Sequence, residues 1–186
     1  SAGLNSGDLY ESRKMGGLWQ TPELMTQRIN SSAHEPSASI SPDGNEVYFT
    51  SDREGGFGGR DLYRIRRLPN GEWSLPLNLG PSVNTANDED APFMHSDGMT
   101  LFFSSNGHST MGGYDIFKSV LMDADHNGWG DPENLGYPLN TVNDDIYFCL
   151  SEDGQTGYFS SERAEGMGGQ DIYLVEFPTT QLDYLV

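Results

Sequence analysis

Columns of residues that recur every 54–56 positions constrain this chain more than any other feature. Trp19, Trp73 and Trp129 are spaced by 54 and 56 residues. The pairs Asp43-Gly44, Asp97-Gly98 and Asp153-Gly154 keep that spacing. So do Asp61, Asp115 and Asp171, each inside Gly-Gly-X-Asp-(Leu/Ile)-(Tyr/Phe), and Asp8 sits one period before Asp61. Asn30, Asn84 and Asn140 form another column, as do Pro22, Pro76 and Pro132. The acids Glu35, Glu89 and Asp145 each fall eight residues before an Asp-Gly pair. Many columns in one register mean stacked copies of a single supersecondary unit.

Each unit reads as four short strands. The first, such as Ser37–Ser41, runs into an Asp-Gly pair, a strong hairpin signal because both residues tolerate positive φ. The second (Glu46–Ser51, Thr100–Ser105, Thr156–Ser161) contains aromatic and β-branched residues that suit a pleated sheet. A glycine-rich loop follows at Glu54–Gly59, Gly107–Gly113 and Glu165–Gly169. The third strand opens at the aspartate column: Asp61–Ile65, Asp115–Val120, Asp171–Glu176. A turn (Pro69-Asn70-Gly71, or Asn127-Gly128) leads to a fourth strand expected around the tryptophan. Asn78–Gly80 and Asn134–Gly136 then begin the link to the next unit.

No stretch carries a 3.6-residue apolar period, so almost no helix is expected. The fold class is all-β: a β-propeller fragment of four-stranded antiparallel blades, about three and a half in number. Residues 7–30 supply the second half of a blade. Residues 31–84 and 85–140 supply complete blades, 141–177 a partial blade without a tryptophan strand, and 178–186 a tail. Closed propellers usually have 4–8 blades. The expectation is therefore a larger propeller, its remaining blades elsewhere in the same protein or carried by another chain.

With 28 acidic against 10 basic residues, the formal net charge is −18. Such a surface repels nucleic acid and anionic lipid headgroups, so neither is an expected partner. No apolar run approaches the ~20 residues of a membrane span. Cys149 is the single cysteine, which excludes an intrachain disulfide; Phe148 and Leu150 beside it read as a strand with a packed thiol.

One segment matches a metal-binding pattern. Asp123, Asp125, Asn127, Gly128 and Asp131 occupy positions 1, 3, 5, 6 and 9 of a calcium loop, which presents hard oxygens around a glycine turn. Calcium is the cofactor this segment implies. The twelfth position is Asn134, with Glu133 adjacent, where a bidentate Glu belongs, and the incoming helix is missing. In the repeat register the segment replaces the hairpin Arg67–Trp73. No catalytic or other cofactor-binding residue emerges. The acidic columns recur once per blade, as structural residues do, whereas a catalytic residue is needed once. His34, His95, His108 and His126 share no ligand spacing. Ser160 and Ser161 lie outside any Gly-X-Ser-X-Gly elbow. Gly55–Gly59 lacks both the lysine and the helix of a phosphate loop.

The run Ser41-Pro42-Asp43-Gly44, Val47-Tyr48-Phe49, Thr50-Ser51-Asp52-Arg53 resembles the signature of the TolB-type (PD40) propeller family. The later copies depart to Ser96-Asp97-Gly98 with Ser104-Ser105-Asn106, and to Glu152-Asp153-Gly154 with Ser160-Ser161-Glu162-Arg163. The Gly-Gly-X-Asp-(Leu/Ile)-Tyr and Trp-X-X-Pro-X-Asn-Leu-Gly segments resemble propellers found beside TPR repeats and OmpA-like domains. Those occur in Bacteroidetes envelope proteins, including the PorE-type component of the type IX secretion system. The resemblance spans about residues 7–177. It implies a periplasmic, outer-membrane-associated, non-enzymatic scaffold that assembles with other proteins, peptidoglycan being reached only through domains absent from this chain. Two alternatives are a propeller binding glycans or small ligands through Phe57, Tyr114 and acidic loops, and an accessory domain of a peptidase or polysaccharide lyase.

Overall fold

The structure is a computed structural model that describes residues 7–177; the tail expected at 178–186 lies outside them. Every regular element among the described residues is a strand. In the first segment β1 (Tyr10–Glu11) pairs with β4 (Glu23–Leu24), and β2 (Lys14–Met15) with β3 (Leu18–Trp19). Next comes an antiparallel sheet in chain order: β5 (Ala38–Ile40), β6 (Glu46–Ser51), β7 (Asp61–Arg66) and β8 (Leu77–Asn78). The second full sheet orders β9 (Glu89–Met94), β10 (Thr100–Ser105) and β11 (Asp115–Asp123); both β12 (Gly128–Trp129) and β13 (Glu133–Asn134) pair with β11. The last has three strands, β14 (Asp145–Leu150), β15 (Thr156–Ser161) and β16 (Asp171–Glu176). Asp-Gly turns join the first two strands of each of the last three sheets, with Gly44, Gly98 and Gly154 all at positive φ, where a side chain would be strained.

Trp19 and Trp129 do lie in two-residue strands, β3 and β12, and Trp73 in a single bridge, but a further strand follows them. Asn78 pairs with Tyr63, and Asn134 with Phe117, so the outer strand lies a few residues after each indole. Trp73 makes a single bridge to Arg67, and Trp129 pairs with Leu121 at the far end of a nine-residue β11. The third strand outruns its blade, and the tryptophan hairpin folds back as an extension. This lets the indole reach the preceding blade. Trp129 meets Tyr48 edge-on, centroids 6.1 Å apart at 85°, the geometry favoured by ring quadrupoles.

The core lies between blades, and period-two alternation builds it. Successive residues of a strand point to opposite faces. On β6, Val47 and Phe49 face back to Leu9, Met25 and Ile29 of the first segment. Tyr48, between them, faces forward to Met94, Leu101, Phe103 and Phe117. On β10, Phe103 faces back while Phe102 faces forward to Leu139, Phe148 and Phe159. Each fully buried large apolar side chain contributes on the order of 1.5–3 kcal/mol. The first strands are less regular. Ala91 in β9 and Tyr147 in β14 share a column and both have positive φ, 52° and 59°, at breaks in the β9–β10 and β14–β15 registers.

Polar residues that break the repeat separate one blade junction from the next. Thr50 of β6 donates its hydroxyl to Asp90 of the next blade at 3.1 Å, and Ser37 donates to the same oxygen at 2.5 Å. Ser104 holds the column position of Thr50, but Ile146 stands where its Asp90 would be. Its fully buried hydroxyl has no partner. A lost hydrogen bond to a charged group costs about 1.5–3 kcal/mol, whereas removing an unpaired buried hydroxyl is neutral or favourable. Thr50→Val is therefore expected to lower the urea unfolding free energy by that amount, and Ser104→Ala to leave it unchanged or raise it. Equal losses in both variants would contradict this packing.

Candidate functional site

The glycine-rich loops and the links between blades meet at one end of the molecule. Asparagines hold them there. Asn84 mimics a β-bridge to Leu62, accepting its N–H at 2.8 Å and donating to its C=O at 3.0 Å. Asn30 repeats this on Leu9 at 2.8 and 2.9 Å, and Asn140 on Ile116 at 2.8 and 2.9 Å. Each link is thereby stitched to the third strand. The glycines permit the approach: a Cβ on Gly58 would stand 1.9 Å from the Asn87 carbonyl oxygen, and one on Gly112 would stand 2.1 Å from that of Val142.

The aspartate column caps the loops. Asp61 accepts the N–H of Phe57 at 2.6 Å and of Gly58 at 3.0 Å, and the Asn78 amide at 2.7 Å. Asp115 accepts from Met111 and Asn134, both at 2.7 Å, and Asp171 from Met167 at 2.7 Å. The second acidic column is fully buried. Glu35 accepts from the Ser31 N–H and hydroxyl, the Ser51 hydroxyl and Arg53. Glu89 takes the Thr85 N–H (2.8 Å), the Thr85 hydroxyl and the Ser105 hydroxyl (both 2.7 Å). Asp145 takes the Thr141 N–H and hydroxyl. Buried carboxylates need such donors.

The full blades differ in the cation beside this acid. Arg53 lies over Phe49 and Tyr63, 5.0 Å from each ring, and donates to the Ile29 carbonyl. Arg163 does the same over Phe159 and Tyr173, donating to Leu139. Gly107 replaces the arginine in the middle blade. There His108 packs on Phe103 and Phe117 and donates Nε2–H to the equivalent Val83 carbonyl at 2.8 Å. An imidazole thus takes the place of the guanidinium on the two rings. Burial pushes Glu89 above the usual carboxylate range, against the hydrogen bonds from Thr85 and Ser105.

One cluster has no counterpart in the other blades. The column of Asp90 holds Pro36 and Ile146, and that of Arg60 holds Tyr114 and Gln170. Arg60 donates to Asp90 at 2.7 Å, and Tyr114 donates its hydroxyl to Asp88 at 3.2 Å. Burial and the negative Asp88 raise the Tyr114 phenol. Burial would lower the Arg60 guanidinium, but Asp90 raises it. Phe57 stands half exposed on the neighbouring loop. Phe57 and Tyr114 were legible in the sequence, whereas Arg60, Asp88 and Asp90 were not singled out. For Arg60 and Asp90 the signal was the break in the repeat at columns 60/114/170 and 36/90/146; Asp88 recurs as Asp144 and carried no such mark.

The calcium-motif residues form the hairpin after β11. Asp123 accepts the N–H groups of Asp125 and His126, both at 3.1 Å, and the His126 ring at 2.9 Å. Those bonds, the His126 ring first, lower its carboxyl below the usual range. Asn127 donates to the Asn78 carbonyl and accepts from the Trp129 indole. Asp125 and Asp131 point at no common centre that the structure defines, and both are exposed. Among the described residues, no group of three His, Cys, Asp or Glu side chains is placed to hold a metal ion. Calcium stays an expectation from the motif alone.

Glu89 also sets a pH dependence. Its folded pKa is raised, so the folded state binds more protons than the unfolded one just above pH 4.5. Stability from this group is full below that value and is lost as pH rises through the folded pKa. In urea unfolding, the parent's stability relative to Glu89→Gln should be greatest at the acid end and decline as pH rises. A difference that stays constant with pH would contradict it.

No family model and no curated protein matches this sequence. Solved structures do. TolB from Acinetobacter baumannii aligns with a TM-score of 0.53 at 18% identity, covering 84% of this chain and 32% of that one. A putative TolB from Agrobacterium tumefaciens aligns at 0.56 and 19%, covering 90% and 56%. An α-L-arabinofuranosidase from Lactobacillus brevis aligns at 0.53 and 15%, covering 80% and 50%. The chain thus spans about a third to about half the length of these proteins. At such identities the likeness is one of fold, and the fold is that of TolB-type β-propellers: all-β, built of four-stranded antiparallel blades.

Proposed function

We propose that this chain is a non-catalytic propeller module whose loop end binds a protein partner in the cell envelope. One observation carries the reading. The residues that depart from the repeat converge on the loop end between the first two full blades, while the repeated carboxylates are turned inward onto protein donors, only one buried oxygen each of Asp115 and Asp145 lacking a hydrogen bond among the described residues. A general acid or base must present a free atom to substrate; Asp61 and Glu89 instead spend theirs on backbone and hydroxyl groups. Phe57 and Arg60 at one glycine-rich loop and Tyr114 at the next offer an aromatic, a guanidinium and a phenol at the same end of the molecule. Such residues dominate the binding energy of protein interfaces.

The envelope setting, periplasmic and outer-membrane-associated, is supported by the resemblance of the repeat motifs. Scaffolding within a secretion or peptidoglycan-associated complex is the finer form of this reading. Among the described residues no helix is long and apolar enough to cross a membrane.

Site-specific photocrosslinking in the native host tests the interaction. A photoreactive amino acid at position 57 should give one discrete protein adduct, lost in the Tyr114→Ala background. The same group at Met99, exposed on an Asp-Gly turn away from this cluster, should give none. Indiscriminate or equal labelling from both positions would reject the loop end as the interface.

A further inference from the structure

The junction between the middle and last blades buries two carboxyl oxygens that no donor meets. At the preceding junction the matching acids are Asp61 and Glu89, and every oxygen of the two is bonded. Asp61 takes Phe57, Gly58 and Asn78; Glu89 takes Thr85 and Ser105. One blade on, Asp115 holds the position of Asp61, and Asp145 that of Glu89. Their Oδ2 atoms are bonded much as before, Asp115 by Met111 and Asn134, Asp145 by Thr141. Their Oδ1 atoms have no hydrogen-bond partner among the described residues, and both side chains are fully buried. The sequence supplies the cause at Asp145. It is one methylene shorter than Glu35 and Glu89, which reach the hydroxyls of Ser51 and Ser105. The matching Ser161 hydroxyl instead accepts from Arg163 at 3.1 Å. The shorter side chain keeps the carboxyl near its own backbone, whose N–H donates at 2.7 Å to the carbonyl of Tyr114, the neighbour of Asp115.

The charges around the pair do not balance. Arg163, 3.7 Å from Asp145 Oδ1, offsets one carboxylate. β10 and β12 bring no charged side chain, and Glu133 of β13 is paired with Lys118 at 3.1 Å. Asp144 is turned onto the Tyr114 N–H, Glu89 onto Thr85 and Ser105, and His108 onto the Val83 carbonyl. One buried anion is left over, and an unpaired buried charge is costly. Burial raises the Asp115 carboxyl, against the bonds from Asn134 and Met111, and the Asp145 charge adds to the rise.

We propose that one proton joins the two acids, carried on Asp115 Oδ1 and donated to Asp145 Oδ1, and that it fastens the last blade to the middle one. A protonated carboxyl donates while a carboxylate only accepts, so one proton gives both orphaned oxygens a partner and removes the excess charge. Carboxyls that share a site resist ionising together. The sign follows from the raised Asp115. Its stabilisation is full below the ordinary 3.8 and is lost as pH rises through the higher folded value. The proton then leaves to solvent, the two carboxylates repel across the junction, and the last blade loosens. This switch does not depend on the loop-end interface.

Carboxyl carbon NMR across the acid and neutral range reads the proton directly. The Asp115 Cγ should titrate above the usual carboxylate range, and Asp145→Asn should move its midpoint down. Native-state hydrogen exchange reads the junction. Protection of the Asp145 amide should fall by roughly tenfold or more as Asp115 ionises. In Asp115→Asn it should stay level, because the neutral amide keeps a donor for Asp145. The parent's own titration needs no variant, so a misfolded substitution does not decide the matter. An Asp115 midpoint in the ordinary range, or one unmoved by Asp145→Asn, would overturn the proposal. So would the same course of protection in the parent and in Asp115→Asn. A midpoint that shifts when calcium is added to chelator-treated protein would overturn it too, since a cation would then bridge the pair.

Discussion

A carboxylate sealed away from water must find donors, and each blade supplies them from its own loops. Asp61 collects two backbone N–H groups and one side-chain amide; Glu89 collects one N–H and two hydroxyls. These bonds decide where glycine-rich chain goes that otherwise has little reason to hold one shape. Once the loop is fixed, the asparagine column can bridge the next link to the third strand, and the links set the distance between blades. The apolar clusters then form between sheets rather than within one. Unsatisfied buried acids are costly, so the polar columns act as registration pegs for the apolar ones.

This explains what the sequence disclosed. The repeat, the Asp-Gly turns, the second and third strands and the loop-capping aspartates were all legible, because each follows from local chemistry repeated three times. The outer strand was not. Trp129 does sit in a two-residue strand paired with β11, yet the ladder beside Tyr63 and Phe117 runs through Leu77-Asn78 and Glu133-Asn134. Where an indole settles depends on the neighbouring blade's Tyr48, and nothing within one repeat encodes that. The same limit hid Asp90. Its partners Ser37, Thr50 and Arg60 belong to the previous blade, and only the departure of its column from Pro36 and Ile146 marked it. The Asp123–Asp131 motif stays an expectation from spacing: Asp123 bonds within its own hairpin, and Asn127 reaches the Asn78 carbonyl of the preceding blade.

Departures from the repeat therefore carry the information about function. Positions that agree across blades serve the scaffold, which propellers share whatever they do. Positions that disagree gather where Arg60, Asp90 and Tyr114 adjoin, and in the exchange of an arginine for His108 in the middle blade. Both lie on the loop end and both involve the junctions of that blade. The first offers a surface for a partner. The second sets His108, half-buried on Phe103 and Phe117, beside a carboxyl that burial raises.

The loop-capping carboxylates hold the loops in place, and native-state hydrogen exchange reads them residue by residue. Amides at Phe57, Gly58 and Met111 lie in glycine-rich loops that exchange quickly when unbonded. Held by Asp61 and Asp115, they should exchange at least about a hundredfold more slowly than Gly55, with the protection at Phe57 and Gly58 lost in Asp61→Ala. Exchange at the rate of Gly55 in the parent would mean that the loops are not pinned, and the account of how the blades are registered would fail.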